Sequence, residues 1–338
     1  MKNTIIVESP FQMLCAISFI NQNLKNEINQ IYFINDKVSK NIKMTKEIIK
    51  LLSFKSSLFN IIDIRNTFIF KRYMVFFRLL LIVRKNNGTL IVGDLNQSYL
   101  RFICNKFYGK KIAIDDGFGS IVAHDRIING FNSTTEVIKN ILSFGYYKSI
   151  YPKDIEFHTI YSNYLKGGNT FEHNLILGIE KNKLIKIERK LFFIGQPLIN
   201  DGIVEESIYL DYLCNAAMIF QEHELFYLPH RRESQEILEK IKEQNFSLIN
   251  TKLIAELEFL TKQELPSVFL GFYSTALLNI KKVLNNKDIS FYYKELDNKI
   301  LKRPIENLKK VYEIFETEGI KNFDIYDLPK NKSFLNIN

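Results

Sequence analysis

The sequence predicts an α/β fold made of two Rossmann-like domains facing a cleft. Short apolar, β-rich runs alternate with longer helical patterns from residue 4 onward, the signature of a parallel sheet covered on both faces. The alternation lapses between about residues 122 and 168 and then resumes. A chain of 338 residues is long enough for two domains of ordinary size.

In the first half, strands are expected at residues 4–7, 30–34, 58–64, 89–92 and 111–114. A helix should open at Ser9-Pro10, with the Ser as cap and the Pro in the first turn. Further helices are expected at 36–52, 67–84 and 96–107. The irregular stretch holds one helical pattern at 135–142, and Gly167-Gly168 marks the expected crossover. Beyond it come strands at 190–194, 224–228, 267–270 and 290–293, with helices at 205–220, 234–244, 256–261 and 274–284. These patterns divide the chain into an N-terminal domain, 1–165, a second α/β domain, 166–303, and a C-terminal helix and tail, 304–338. The helix at 304–316 is expected to pack back on the first half.

Hydrophobic residues at 46% and charged residues at 25% describe a soluble globular protein with a sizeable core. The net charge of +9 favours a polyanionic partner: nucleic acid, anionic lipid, or a phosphorylated or acidic-sugar ligand. No basic block or recognition motif of the nucleic-acid kind occurs, so no nucleic-acid partner is expected. Cys15, Cys104 and Cys214 lie far apart in apolar segments and read as buried thiols in a reducing, cytoplasmic setting. The opening residues read as a strand and not as a signal peptide. Residues 68–83 are the most membrane-like, but Lys71, Arg72 and Arg78 interrupt them and they fall short of the roughly 20 residues a span requires. They read as a core-packing helix with a basic stripe, with a surface anchor on anionic lipid as the alternative.

Three stretches could carry chemistry. Residues 110–120, Lys-Lys-Ile-Ala-Ile-Asp-Asp-Gly-Phe-Gly-Ser, form an apolar strand that delivers Asp115 and Asp116 to a loop with Gly117 and Gly119. Loops at the carboxyl ends of strands in an open α/β sheet are where ligands bind. Asp-Asp-Gly is also a common turn, because Asp bonds to nearby backbone and Gly accepts positive φ. In the second stretch, Leu-Phe-Tyr-Leu-Pro-His-Arg-Arg-Glu at 225–233, an apolar strand ends at His230, Arg231 and Arg232. Arg offers a planar fork of donors and His donates as imidazolium, which suits a phosphate, while a solvated basic helix start is the plain alternative. In the third, a strand runs into Gly271, and Ser274-Thr275 open a helix whose N–H groups and dipole favour an anion. Ser274 is equally an ordinary N-cap.

Other chemistries find less support. Asp115-Asp116 could be half of a divalent-ion site, but no Asp-x-Asp occurs and the neighbours are glycines. No two of the five histidines have helical ligand spacing. A Gly-x-Ser-x-Gly elbow, a Walker loop and a dinucleotide fingerprint are all missing, which argues against hydrolases, kinases and dehydrogenases.

Taken in order, Asp115-Asp116-Gly117, His230 and Ser274-Thr275 resemble the acidic, His-Pro and Ser-Ser/Thr motifs of the bacterial sialyltransferases. The resemblance is closest to the lipooligosaccharide and capsule type (glycosyltransferase family 52-like), and the motifs recur in the multifunctional sialyltransferases and polysialyltransferases. Residues 8–14, Glu-Ser-Pro-Phe-Gln-Met-Leu, and 254–260, Ile-Ala-Glu-Leu-Glu-Phe-Leu, echo the same families. One departure is that Pro229 precedes His230, where many members carry Pro after the His.

The resemblance implies a GT-B type glycosyltransferase that moves sialic acid from CMP-sialic acid to a hydroxyl of a lipooligosaccharide or capsule glycan. Transfer would proceed with inversion and without a cofactor or essential metal. It makes Asp116 the base on the acceptor, with Asp115 a supporting acid. His230 would act on the departing phosphate with Ser274 and Thr275, and charge alone makes Arg231 or Arg232 a candidate to assist. Glu256, or alternatively Glu258, would take the cytidine ribose, and Gly117, Gly119 and Gly271 would shape the turns. Implied partners are the CMP-sugar donor, a lipid-linked glycan acceptor and the anionic inner membrane surface, with a homodimer compatible with the chain. The rival readings are a transferase of another CMP-activated acid, of legionaminic, pseudaminic or Kdo type, and a non-catalytic glycan-assembly protein of the same fold.

Overall fold

The computed structural model describes residues 2–35, 39–54, 58–65, 67–130, 150–165, 167–173, 175, 186–305 and 307–323, with isolated positions between 134 and 141. The chain divides into two compact units: residues 1–180 with 252–254, and residues 181–251 with 255–338.

The first unit is built on seven strands: β1 (Lys2–Val7), β2 (Ile28–Asn35), β3 (Phe59–Asp63), β4 (Leu90–Val92), β5 (Lys111–Ile114), β6 (Ile155–Thr159) and β7 (Thr170–Glu172). All pair in parallel, in the order β3-β2-β1-β4-β5-β6-β7. The central strands are buried on both faces, which is why they read as near-continuous apolar runs. Helices α1 (Pro10–Asn23), α2 (Ser39–Leu51), α3 (Ile69–Lys85), α4 (Ser98–Asn105) and α5 (Phe118–Asn129) connect them. The Ser9 hydroxyl caps α1 by accepting from the Gln12 N–H, with Pro10 in the first turn, as the sequence predicts.

The second unit repeats the plan with β8 (Lys186–Ile194), α6 (Glu206–Ile219), β9 (Glu224–Leu228), α7 (Gln235–Glu243), β10 (Ser247–Leu248), α8 (Ala255–Leu260), β11 (Glu264–Gly271), α9 (Thr275–Leu284), β12 (Ser290–Tyr293), α10 (Leu308–Thr317) and β13 (Lys321–Asn322). Its sheet is again parallel, in the order β10-β9-β8-β11-β12-β13. An aromatic core holds it together, with Phe193 stacked on Tyr227 and Phe269 stacked on Phe291.

Both sheets reverse their strand order next to the first strand of the unit, between β1 and β4 and between β8 and β11. Such a reversal opens a crevice outside the carboxyl ends of the strands. The three candidate motifs all follow strands in or beside these positions: β5, β9 and β11.

Four expectations need correction or lie elsewhere. The glycine-containing stretch after Asp116 does not continue as loop but starts α5, because Gly117, at φ 62°, makes the sharp entry into a helix. The irregular stretch contains β6, and β7 follows just beyond it in the same sheet, so the two compact units meet at 180/181 and not at 165/166. The helix expected at 304–316 begins at Leu308 and makes these contacts within its own unit: Tyr312 stacks on Tyr293, Phe315 lies against the same ring, and Lys282 pairs with Glu318 just past its end. The helical pattern at 135–142 lies largely outside the described residues.

Candidate active site

In the first unit, β5 ends in two carboxylates that point opposite ways, as consecutive residues in extended chain must. Asp115 is fully buried and accepts from the Thr159 hydroxyl at 2.5 Å and the Ile160 N–H at 2.8 Å. It ties β5 to the end of β6 and so does not reach the site as a supporting acid. Asp116 is the accessible member of the pair. Its Oδ1 accepts from the Gln12 side-chain amide at 2.6 Å, and its backbone N–H donates to the Ser120 hydroxyl at 2.8 Å.

Gln12 is itself fixed. Its Oε1 accepts from the Glu8 N–H at 2.7 Å, and Gly93 leaves the space its side chain fills, since a Cβ there would lie 2.3 Å from Oε1. Gly119 sits in the first turn of α5, where a Cβ would fall 2.8 Å from Asp116 Oδ2. Its function is therefore close approach and not turn conformation. A small recess at this edge is lined by Gly93, Asp94, Asp116, Gly119 and Ser120.

In the second unit, His230 follows β9. Its N–H donates to Glu233 Oε2 at 2.6 Å, and its Nδ1 accepts from the Arg232 N–H at 3.3 Å. A neutral ring with Nδ1 accepting carries its proton on Nε2. Glu233 also accepts from the Tyr227 hydroxyl at 2.5 Å, and Tyr227 in turn meets Tyr209 at 2.7 Å. Burial pushes the Glu233 carboxyl up to about 7 against the pull of these hydrogen bonds. Gly195, at the end of β8, makes room for this group: a Cβ would lie 2.7 Å from Glu233 Oε2 and from the Tyr227 hydroxyl.

Across β8 from β9, β11 leads into α9. Ser274 is the N-cap, accepting from the Ala276 N–H, and Thr275 is the first helical residue. Gly271 is the last residue of β11 with ordinary backbone and room for a Cβ, so the expected turn role does not apply to it. Of the two candidate glutamates, Glu256 is buried and accepts from the Asn279 amide at 2.9 Å, joining α8 to α9. Burial raises its carboxyl above the usual range, and the Asn279 hydrogen bond and the Arg231 charge offset part of that. Glu258 pairs with Lys262 one turn on. Arg232 reaches Asp201 at 3.0 Å. Among the described residues no group of three His, Cys, Asp or Glu side chains is placed to hold a metal ion.

Residue types alone did not single out Gln12, Gly93, Gly195 or Glu233. Gln12 lies within the 8–14 segment already singled out. Gly93 and Gly195 share a readable signal: a lone Gly at the end of a buried apolar strand next to a switch in strand order.

Two Rossmann-like domains with parallel sheets, each with its candidate residues at the carboxyl edge of the sheet, make up a GT-B type fold. The model of the alpha-2,8-polysialyltransferase family (POLYST) matches residues 3–293, and the chain belongs to that family. An α/β-galactoside α-2,3-sialyltransferase from Photobacterium phosphoreum superposes with a TM-score of 0.56 at 14% identity, covering 97% of this chain and 99% of that one. A UDP-GlcNAc 2-epimerase from Methanocaldococcus jannaschii has a TM-score of 0.55 at 15% identity, covering 96% and 89%. At these identities the likeness is one of fold. No curated protein matches the chain significantly by sequence. The chain is thus a glycosyltransferase of the sialyltransferase type, using a nucleotide-sugar donor and a glycan acceptor.

Proposed function

We propose that the protein transfers sialic acid from CMP-sialic acid to a hydroxyl of a lipid-linked bacterial surface glycan, of lipooligosaccharide or capsule type, with inversion and without an essential metal. The observation that carries this reading is the Asp116 carboxylate, held at the edge of the first sheet by Gln12 on one oxygen and given space by Gly119 at the other.

In this reading Asp116 Oδ2 takes the proton of the acceptor hydroxyl as that oxygen attacks the anomeric carbon of the donor. The bond from that carbon to the phosphate oxygen breaks, and CMP departs with the electron pair. His230 Nε2–H, the first-turn N–H groups of α9 and the Arg231 charge meet the developing negative charge on the phosphate. Leaving-group stabilisation is assigned to these groups, so no step needs a divalent ion. Transfer would take place at the cytoplasmic face of the inner membrane, where lipid-linked acceptors are presented.

Asp116→Ala and His230→Ala should each abolish transfer from CMP-sialic acid with far-UV circular dichroism unchanged. Near-normal turnover by either purified variant would overturn the assignment. Activity should also survive EDTA, and loss in EDTA with recovery on adding Mg²⁺ would refute the metal-free reading.

A further inference from the structure

Helix α3 has two apolar faces, and among the described residues only one is packed into the core. Leu79, Leu80 and Val83 are buried in the core of the first unit with Val75, Phe76 and Ile82 packed beside them, and Phe76 stacks on Tyr99. On the other side Phe70, Met74, Phe77 and Leu81, spaced four, three and four apart, form one stripe at helical period, with Tyr73 beside it. All five are exposed, Phe70 by 74%, and Phe68 just before the helix by 89%.

Lys71, Arg78, Arg84 and Lys85 are exposed along the same helix, and none forms an ion pair among the described residues. The helix contains no acidic residue. An exposed row of aromatic and aliphatic side chains edged only by cations matches an interfacial helix lying in a bilayer surface. It is poorly matched to a second copy of itself, because a two-fold interface would bring the same unpaired cations together. No helix among the described residues is long and apolar enough to cross a membrane, so any association through this surface is peripheral.

We propose that α3 is the surface by which the protein docks on an anionic lipid bilayer, with Phe68, Phe70, Phe77 and Leu81 entering the headgroup boundary and Lys71, Arg78 and Lys85 contacting lipid phosphates. The inference deepens the lipid-linked acceptor reading above, but its test needs no sugar substrate, so the two fail separately.

The test is flotation of the full chain with phosphatidylcholine vesicles, with and without about a quarter phosphatidylglycerol. Binding should require the anionic lipid and weaken as salt is raised. Lys71→Glu with Arg78→Glu should weaken it on the order of thirtyfold or more, given the attraction each basic residue contributes at such a surface. Phe70→Ser with Phe77→Ser should weaken it at least about tenfold by removing two inserted rings. Both variants, altered only at exposed positions, should keep their melting temperature and their turnover of a soluble acceptor. Equal binding to neutral and anionic vesicles, or either variant binding like the parent, would overturn the proposal. So would a dimer of the parent chain in solution that Phe70→Ser with Phe77→Ser converts to monomer while vesicle binding stays unmoved.

Discussion

Burial of the Glu233 carboxyl should make the stability of the protein depend on pH. Its carboxyl, raised from 4.5 to about 7 by burial, binds a proton more tightly in the folded protein than in the unfolded chain. The native state therefore gains stability from this group that is fully present below about pH 4.5 and is lost as pH rises through about 7. The shift corresponds to at most about 3 kcal/mol. Glu233→Gln removes the titration and keeps the contacts: the amide oxygen still accepts from the His230 N–H, and the amide nitrogen can donate to the Tyr227 hydroxyl, which then donates to Tyr209. Urea unfolding followed by circular dichroism, a probe suited to a chain without Trp, would compare parent and variant at about pH 5 and about pH 8. The variant should gain up to about 3 kcal/mol on the parent between these two values. Groups remote from Glu233 are common to both proteins and cancel in the difference. A difference between parent and variant that does not change with pH would refute the reasoning.

The two carboxylates of the acidic motif should separate cleanly. Asp115→Ala should lower stability by about 2 to 3 kcal/mol, seen as a lower melting temperature, because it strands the buried Thr159 hydroxyl and Ile160 N–H, while leaving kcat of the folded fraction nearly unchanged. Asp116→Asn should do the opposite, cutting kcat by about a hundredfold or more with little change in melting. Gly119→Ala should fold yet lose about tenfold or more in kcat, because the added methyl lies 2.8 Å from Asp116 Oδ2 and must displace it. Glu233→Ala should lower kcat through the loss of the acceptor that fixes the His230 backbone, and Glu233→Gln should restore most of it.

Much of the protein was legible without coordinates. Strands 111–114, 224–228 and 290–293 were placed to the residue, because buried parallel strands are apolar runs bounded by turn residues. Ser9 and Ser274 announced their helices through N-cap chemistry, which is local and so written in the sequence. Structure and sequence pattern part where the local signal is ambiguous. Asp-Asp-Gly-Phe-Gly has the composition of a turn, yet in the folded chain its first glycine caps a helix and its second lies in the first turn. β6 and β7 were missed because a parallel strand is confirmed by a partner distant in sequence: Ala113 fixes Phe157, and Phe157 fixes Thr170.

By itself, then, the sequence determined the alternation of elements, the two-domain plan and the strand ends where chemistry would collect, because periodicity, capping and turn preference act within a few residues. The tertiary structure alone decided that Asp115 is a tether while Asp116 remains accessible, that Gln12 and Gly119 fix the Asp116 carboxylate, that Glu233 supports His230, and that one face of α3 is left uncovered. Each of these depends on which side chains from separate strands and helices come within hydrogen-bonding or van der Waals distance, and only the folded chain sets those distances.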